Sequence, residues 1–237
     1  MKKLFILSIL FPLVFLSCNK DPEPEPEVIR AYCYLHHFVP ELESVTWVVD
    51  DIETPDDLIY GGLIPGAVVL EAASEEISFI VKNSETGEVL ESRVLLLEED
   101  KYYKVIICGS KEDPLLLFQE VETSRPQSGQ VKFQILHAAP GQDSIDVYMG
   151  GTSPDKRVIS ELDYKELSDP FEVQDYDVIA AITISIHSEE YNQDSVLLTS
   201  IYNDLIVSGA SYLAVVAPYT FDPLSELTFW LYDLPLE

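Results

Sequence analysis

Residues 131–151, VKFQILHAAPGQDSIDVYMGG, constrain the fold more than any other stretch, because an earlier part of the chain answers them. Phe133, Ile135 and His137 alternate with Lys132, Gln134 and Leu136, the period of a strand with one buried face. A loop with Pro140 and Gly141 follows, then a second alternating run with Ile145, Val147 and Met149 on one side and Asp146 and Tyr148 on the other. About a hundred residues upstream, AYCYLHHFVPELESVTWVVDD repeats the plan. Aligning Leu35-His36 with Leu136-His137 makes His36 and His137 equivalent, two structural histidines whose rings fix their crossover loops. Val45, Trp47 and Val49 answer Ile145, Val147 and Met149. This alignment turns Tyr32, Tyr34 and His36 inward and Cys33 to the opposite face, because a slip of one residue inverts a whole strand.

Strand follows strand along the rest of the chain. Residues 30–36, 45–49, 67–72, 77–83, 89–97, 102–108 and 115–121 read as strands in the first half. Residues 132–137, 145–149, 171–173, 182–187, 196–201, 212–217 and 227–232 do so in the second. The segment Ser84-Glu85-Thr86-Gly87 has hairpin-turn chemistry, and no stretch has the period of an amphipathic helix. So many short strands predict an all-β protein of two tandem Ig-like or transthyretin-like antiparallel β-sandwiches, residues 28–126 and 127–237. Residues 123–130, TSRPQSGQ, are polar, carry Pro126 and Gly129, and read as a linker or hinge.

The N-terminus gives an address. Lys2-Lys3 precede the apolar run 4–16, too short to span a bilayer comfortably and placed as in a signal peptide. Leu16-Ser17-Cys18 resembles a bacterial lipobox, which implies a signal peptide over residues 1–17, cleavage between Ser17 and Cys18, and acyl chains on Cys18. The following residues, CNKDPEPEPE, resemble the export tag of Bacteroidetes-type surface lipoproteins. That implies the outer membrane, facing the cell exterior, with its periplasmic face as the alternative. Residues 18–27 form an acidic, proline-rich tether, and its DPEPEPE stretch in polyproline II would hold the first sandwich roughly 20 Å from the lipid.

Composition narrows the partners. The chain holds 42 Asp+Glu against 14 Lys+Arg, a net charge of −28. A phosphate backbone is repelled, so nucleic acid is not expected. The membrane, through the lipid on Cys18, is the expected contact, together with a protein or glycan ligand that the sequence does not identify.

QILHAAPGQDSIDVYMGG also resembles the domain-of-unknown-function family 4397, whose motif places a histidine, a proline loop and an Asp-Val-Tyr strand as His137, Pro140, Asp146, Val147 and Tyr148 stand here. The first copy departs from it, with Thr46-Trp47 in place of the Asp-Val pair. The resemblance implies extracytoplasmic β-sandwich modules and no activity.

Signatures of chemistry are missing from the sequence. It has no HExxH, CxxC, GxGxxG, P-loop or G-x-S-x-G pattern, and His187-Ser188-Glu189-Glu190 lacks the second histidine of the first. Asp50, Asp51, Glu53, Asp56 and Asp57 crowd hard oxygen donors that suit Ca²⁺. Cys33 and Cys108 are the thiols that remain after Cys18, and an oxidising exterior permits them to pair. Trp230 and Tyr232 share one face of the last strand, where exposed rings would form a platform for sugars. The expectation is therefore a non-enzymatic surface lipoprotein, with no cofactor beyond its lipid, that mediates binding, adhesion or assembly. The alternative is a carbohydrate-binding accessory of a polysaccharide-uptake system.

Overall fold

The computed structural model describes residues 28–62, 67–72, 74–175, 181–187, 196–200 and 206–236. Residues 1–27, on which the expected signal peptide, its cleavage between Ser17 and Cys18, the lipidation of Cys18 and the tether fall, lie outside the described residues.

The first half runs β1 (Ile29–Phe38), β2 (Ser44–Val49), β3 (Ile52–Glu53), β4 (Leu58–Ile59), β5 (Val68–Ala72), β6 (Glu76–Asn83), β7 (Val89–Leu96), β8 (Tyr102–Gly109) and β9 (Pro114–Glu120). The second runs β10 (Gln130–His137), β11 (Ser144–Met149), β12 (Arg157–Asp163), β13 (Phe171–Gln174), β14 (Ile182–Ile186), β15 (Val196–Ser200), β16 (Ser211–Pro218) and β17 (Leu227–Leu234), with one 3-10 turn at Pro154–Lys156. These make four sheets. Sheet I has the order β5-β1-β8-β9 and sheet II the order β3-β2-β6-β7, with β4 also on β2. Sheet III has the order β13-β10-β16-β17 and sheet IV the order β12-β11-β14-β15. The protein is all-β and sandwich-like, and among the described residues its pairings are antiparallel except that β1 runs parallel to β8 and β10 parallel to β16.

Sheets I and II close over a first core that includes Cys33, Leu35, Trp47, Phe79, Tyr103 and Val105. Sheets III and IV close over a second with Phe133, Ile135, Val147, Ile184, Tyr212 and Ala214. A third core lies between the halves, where sheets I and III meet face to face through Phe38, Ile106, Cys108, Leu136, Leu213, Val215 and Tyr232. The central strands are therefore covered on both faces. This is why YYKVIICG, QVKFQILH and SYLAVVAP read as nearly continuous apolar runs, since a strand with no wet face has no reason to alternate. The third core also corrects the hinge expected at residues 123–130. That segment joins two bodies already held together by buried apolar surface, and Lys132 reaches back to the carbonyl of Ser124 at 2.7 Å and to Glu122 at 3.0 Å.

The repeat is real, but its register differs from the one expected. Ala31, Cys33, Leu35 and Val39 line the first core as Val131, Phe133, Ile135 and Ala139 line the second. His37, not His36, is thus the partner of His137, and the loops HFVPELES and HAAPGQDS superpose without a gap. Tyr32 and Tyr34 are only half-buried and stack on Tyr102 on the opposite face. Hydrogen bonds repeat in the same frame. Tyr60 and Gly61 donate to the carbonyls of Glu43 and His37, as Tyr164 and Lys165 donate to those of Asp143 and His137. The hydroxyl of Tyr103 accepts from the N–H of Glu98, and that of Tyr212 from the N–H of Val207.

Candidate functional site

The paired histidines are fixtures of the fold. Nδ1 of His37 accepts from the N–H of Val39 at 3.3 Å, and its Nε2 faces the carbonyl of Leu42 at 3.1 Å, which requires the Nε2–H tautomer. Nδ1 of His137 accepts from the N–H of Ala139 in the same way. Burial holds both rings neutral, with pKa values lowered to about 4. His36, the expected partner of His137, instead faces the third core against the edge of the Tyr232 ring, neither nitrogen has a hydrogen bond, and burial takes its pKa down to about 3.

The platform expected of Trp230 and Tyr232 is not formed. Tyr232 is buried, and its hydroxyl donates to the carbonyl of Gly61 at 2.7 Å. The Trp230 ring lies against Gly61, where a β-carbon would come within 2.6 Å of it, and Tyr219 stacks on it at 6.4 Å. Both side chains knit the halves together, because a last strand that edges sheet III still faces sheet I. Cys33 and Cys108 are both free and sit on opposite faces of sheet I, one in the first core and one in the third. Burial pushes each thiol up to about 12, so neither is a ready nucleophile. In the acidic run, Asp57 accepts from the hydroxyl of Thr46 at 2.6 Å and Glu53 pairs with Lys82 at 2.9 Å. Among the described residues no three His, Cys, Asp or Glu side chains gather as a metal would require.

The structure does assemble a charged constellation on sheet IV. The alternation of β11 sends Ile145, Val147 and Met149 into the second core and Asp146 and Tyr148 to the other face. Asp146 is nevertheless only 1% exposed. Its Oδ1 lies 2.7 Å from Nδ1 of His187 and accepts from the N–H of Glu161 at 3.0 Å. Its Oδ2 accepts from Arg157 at 3.2 Å. The backbone contributes to this arrangement. Pairing of β11 with β12 shifts register between Ile145 and Val147, and Glu161 takes a left-handed φ of 60° at that irregularity.

A carboxylate this deep needs compensation, and the Arg157 guanidinium, the His187 ring and the N–H of Glu161 supply it. The hydrogen bond to Asp146 raises the pKa of both His187 and Arg157. Their side chains remain a quarter exposed. In the first half a hydroxyl replaces the carboxylate: Thr46 meets Ser84 at 3.1 Å where Asp146 meets His187, and donates to Asp57 at 2.6 Å. Sequence reading placed Asp146 in a motif and His187 in a failed one. The signal that joins them is the pairing of adjacent strands β11 and β14, which sets Asp146 opposite Ser185 and brings His187 level with Ser144.

Residues 31–148 match the model of a family described as Domain of unknown function (DUF4397), a span that runs through the first half and the first two strands of the second. No curated protein matches the chain. A solved structure of a family CBM26 module, CBMbc from Eubacterium rectale Amy13K in complex with maltoheptaose, is 14% identical over 87% of this chain and 97% of its own, with a TM-score of 0.25. At that score the likeness carries no argument about a ligand.

Proposed function

Because the chain carries a DUF4397-like module, we propose that it is a non-enzymatic binding or assembly protein, held at the outer membrane by lipid on Cys18 and displayed outward as one rigid body. The observation that carries this reading is the third core. A catalytic pair of domains commonly closes on its substrate through a hinge, whereas here apolar side chains of sheets I and III fill the space between the halves. Further support comes from the titratable groups. His37 and His137 are engaged by their own loops, and Asp146 by three donors of its own chain. The lipobox and the acidic tether supply the address.

The test is metabolic labelling with radioactive palmitate, followed by protease treatment of intact cells. Wild type should take up label and be cleaved from outside, while Cys18→Ala should take up none. Equal labelling of the two would overturn the anchor, and full protection from protease would overturn outward display.

A further inference from the structure

Between the edge strands of the first sandwich lies an apolar cleft of about 210 Å³, walled by Val49, Val68, Leu70, Ala72 and Ile77. Ile52 forms its lip and is 73% exposed, an unusual place for a large aliphatic side chain unless something covers it. Asp50, Glu53 and Glu71 line the rim. Among the described residues β5 pairs with β1 alone, so sheet I ends there in an open edge.

The second sandwich builds the corresponding edge differently. There β12 is a full strand, and its Val158 and Ile159 pack against the second core, Ile159 opposite Val147. In the first half Trp47 stands where Val147 stands, and what bonds to its carbonyl is the N–H of Thr54, between the two-residue strands β3 and β4. A polar residue thus occupies the place of Ile159, and two short strands stand where β12 runs for seven residues.

We propose that this cleft receives the apolar side chains of an extended, cationic peptide strand that adds to the edge of β5. The inference names the partner chemistry of the binding role above and rests on that reading. Strand addition matches the alternation of β5, where Val68, Leu70 and Ala72 face inward and Val69 and Glu71 outward. An added strand with the same period places its apolar residues in the cleft and its basic residues on the outer face beside Glu71. Glu71 already takes a cation from the other side, pairing across the strands with Arg30 at 2.6 Å. Charge selects against the alternatives, since an acidic strand, or a second copy of a chain with net charge −28, meets repulsion at this rim.

The experiment titrates the purified protein into three labelled peptides, acetyl-KVKVKVK-amide, acetyl-KSKSKSK-amide and acetyl-EVEVEVE-amide, and reads fluorescence anisotropy. The first should saturate. The second should bind about tenfold or more weakly, the worth of burying even one valine side chain, and the third should not bind. Ile52→Ser, which leaves the core untouched and adds no charge, should weaken the first by a similar factor, and amide exchange should show protection of Val68–Ala72 on binding. Absence of saturation by the first peptide, equal affinity for the second, or binding of the third would overturn the proposal. So would unchanged binding to Ile52→Ser. None of these readouts involves Cys18, so a failed anchor and a failed cleft give different results.

Discussion

At the scale of single residues, the two copies differ in what they place at the same backbone conformation. Asp100 has a φ of 59° and its counterpart Gly209 a φ of 81°, while Glu41 at 76° answers Gly141 at 80°. The left-handed region costs an L-residue roughly 1 kcal/mol that glycine does not lose. Asp100 is held there because its N–H donates to the carbonyl of Arg30, a backbone bond that glycine keeps. Asp100→Gly should therefore leave stability unchanged or raise it by up to about 1 kcal/mol, read as a urea midpoint. The reverse substitution, Gly209→Asp, should lower it. The buried histidines add a pH dependence. In the unfolded chain they take up protons near pH 6.5, but folded His36, His37 and His137 stay neutral down to about 3, 4 and 4. Over that window the unfolded state binds more protons, so stability falls as pH drops, by up to about 3 kcal/mol each for His37 and His137 and about 5 kcal/mol for His36. His187 acts in the opposite sense. Its raised pKa gives stability that is full below the unfolded value and lost as pH rises through the folded one, but its exposure keeps the effect small. Melting temperature should decline between pH 7 and pH 5, before most carboxylates titrate, and a flat profile would contradict the buried, neutral rings. The same residues mark where sequence reading slipped. With histidines at both 36 and 37, either could answer His137, and the choice of His36 inverted β1. The frame is fixed by the loop and the strand after it, Pro40 with Pro140, Ser44 with Ser144 and Val45 with Ile145.

At the scale of elements, the strands with one wetter face were legible. β2 and β6 alternate because one sheet face packs against the core and the other is more open, and their existence follows from spacing alone. β12 escaped because its pairing with β11 is irregular and Glu161 breaks the period that would have revealed a strand in RVISELD. Trp230 was legible as an aromatic on an edge strand but not as a residue of the third core, since edge position says nothing about what packs on the face. Gly61 is the element-level counterpart of that contact. It takes a φ of 65°, as Lys165 does at 67° in the other copy, so the turn after β4 keeps one shape in both halves. What differs is what crosses to the opposite half. Gly61 makes room for Trp230, while Lys165 reaches to Asp113. Gly61→Ala puts a methyl within 2.6 Å of the indole in addition to straining the backbone, and should destabilise by about 1–3 kcal/mol. Trp230→Leu in the same background should recover part of that loss in chemical denaturation, because it removes the colliding ring.

At the scale of the whole molecule, the consequential feature is the one that the sequence carried least openly. Two cores could be inferred from a repeat, but a repeat does not say whether its copies touch. The information lay in the central strands, whose two apolar faces exceed what one sandwich can bury. Ile106 and Cys108 on β8, and Leu213, Val215 and Ala217 on β16, have no place in the first or second core and meet only between the halves. Polar groups are buried with them under constraint. Lys104 is nearly inaccessible and donates to Gln134 across the two sheets, and Gln134 in turn donates to Gln119 at 2.6 Å and to the carbonyl of Ser168 at 2.7 Å. Burial lowers the Lys104 pKa to about 8, which makes the charge conditional on its partner across the interface. Separating the halves therefore exposes an apolar face and leaves each side of that network without its acceptors or donors. Residues 28–126 and 127–237 expressed alone should each aggregate or self-associate through sheets I and III. Expressed together as two chains, they should copurify in equal amounts and run as one species on size exclusion. Replacing Ile106 and Leu213 with lysine should abolish that copurification while the intact chain loses stability. If instead each half alone gives a monomer that unfolds cooperatively at the midpoint of the intact protein, the third core contributes nothing to stability and the rigid body proposed for display comes apart.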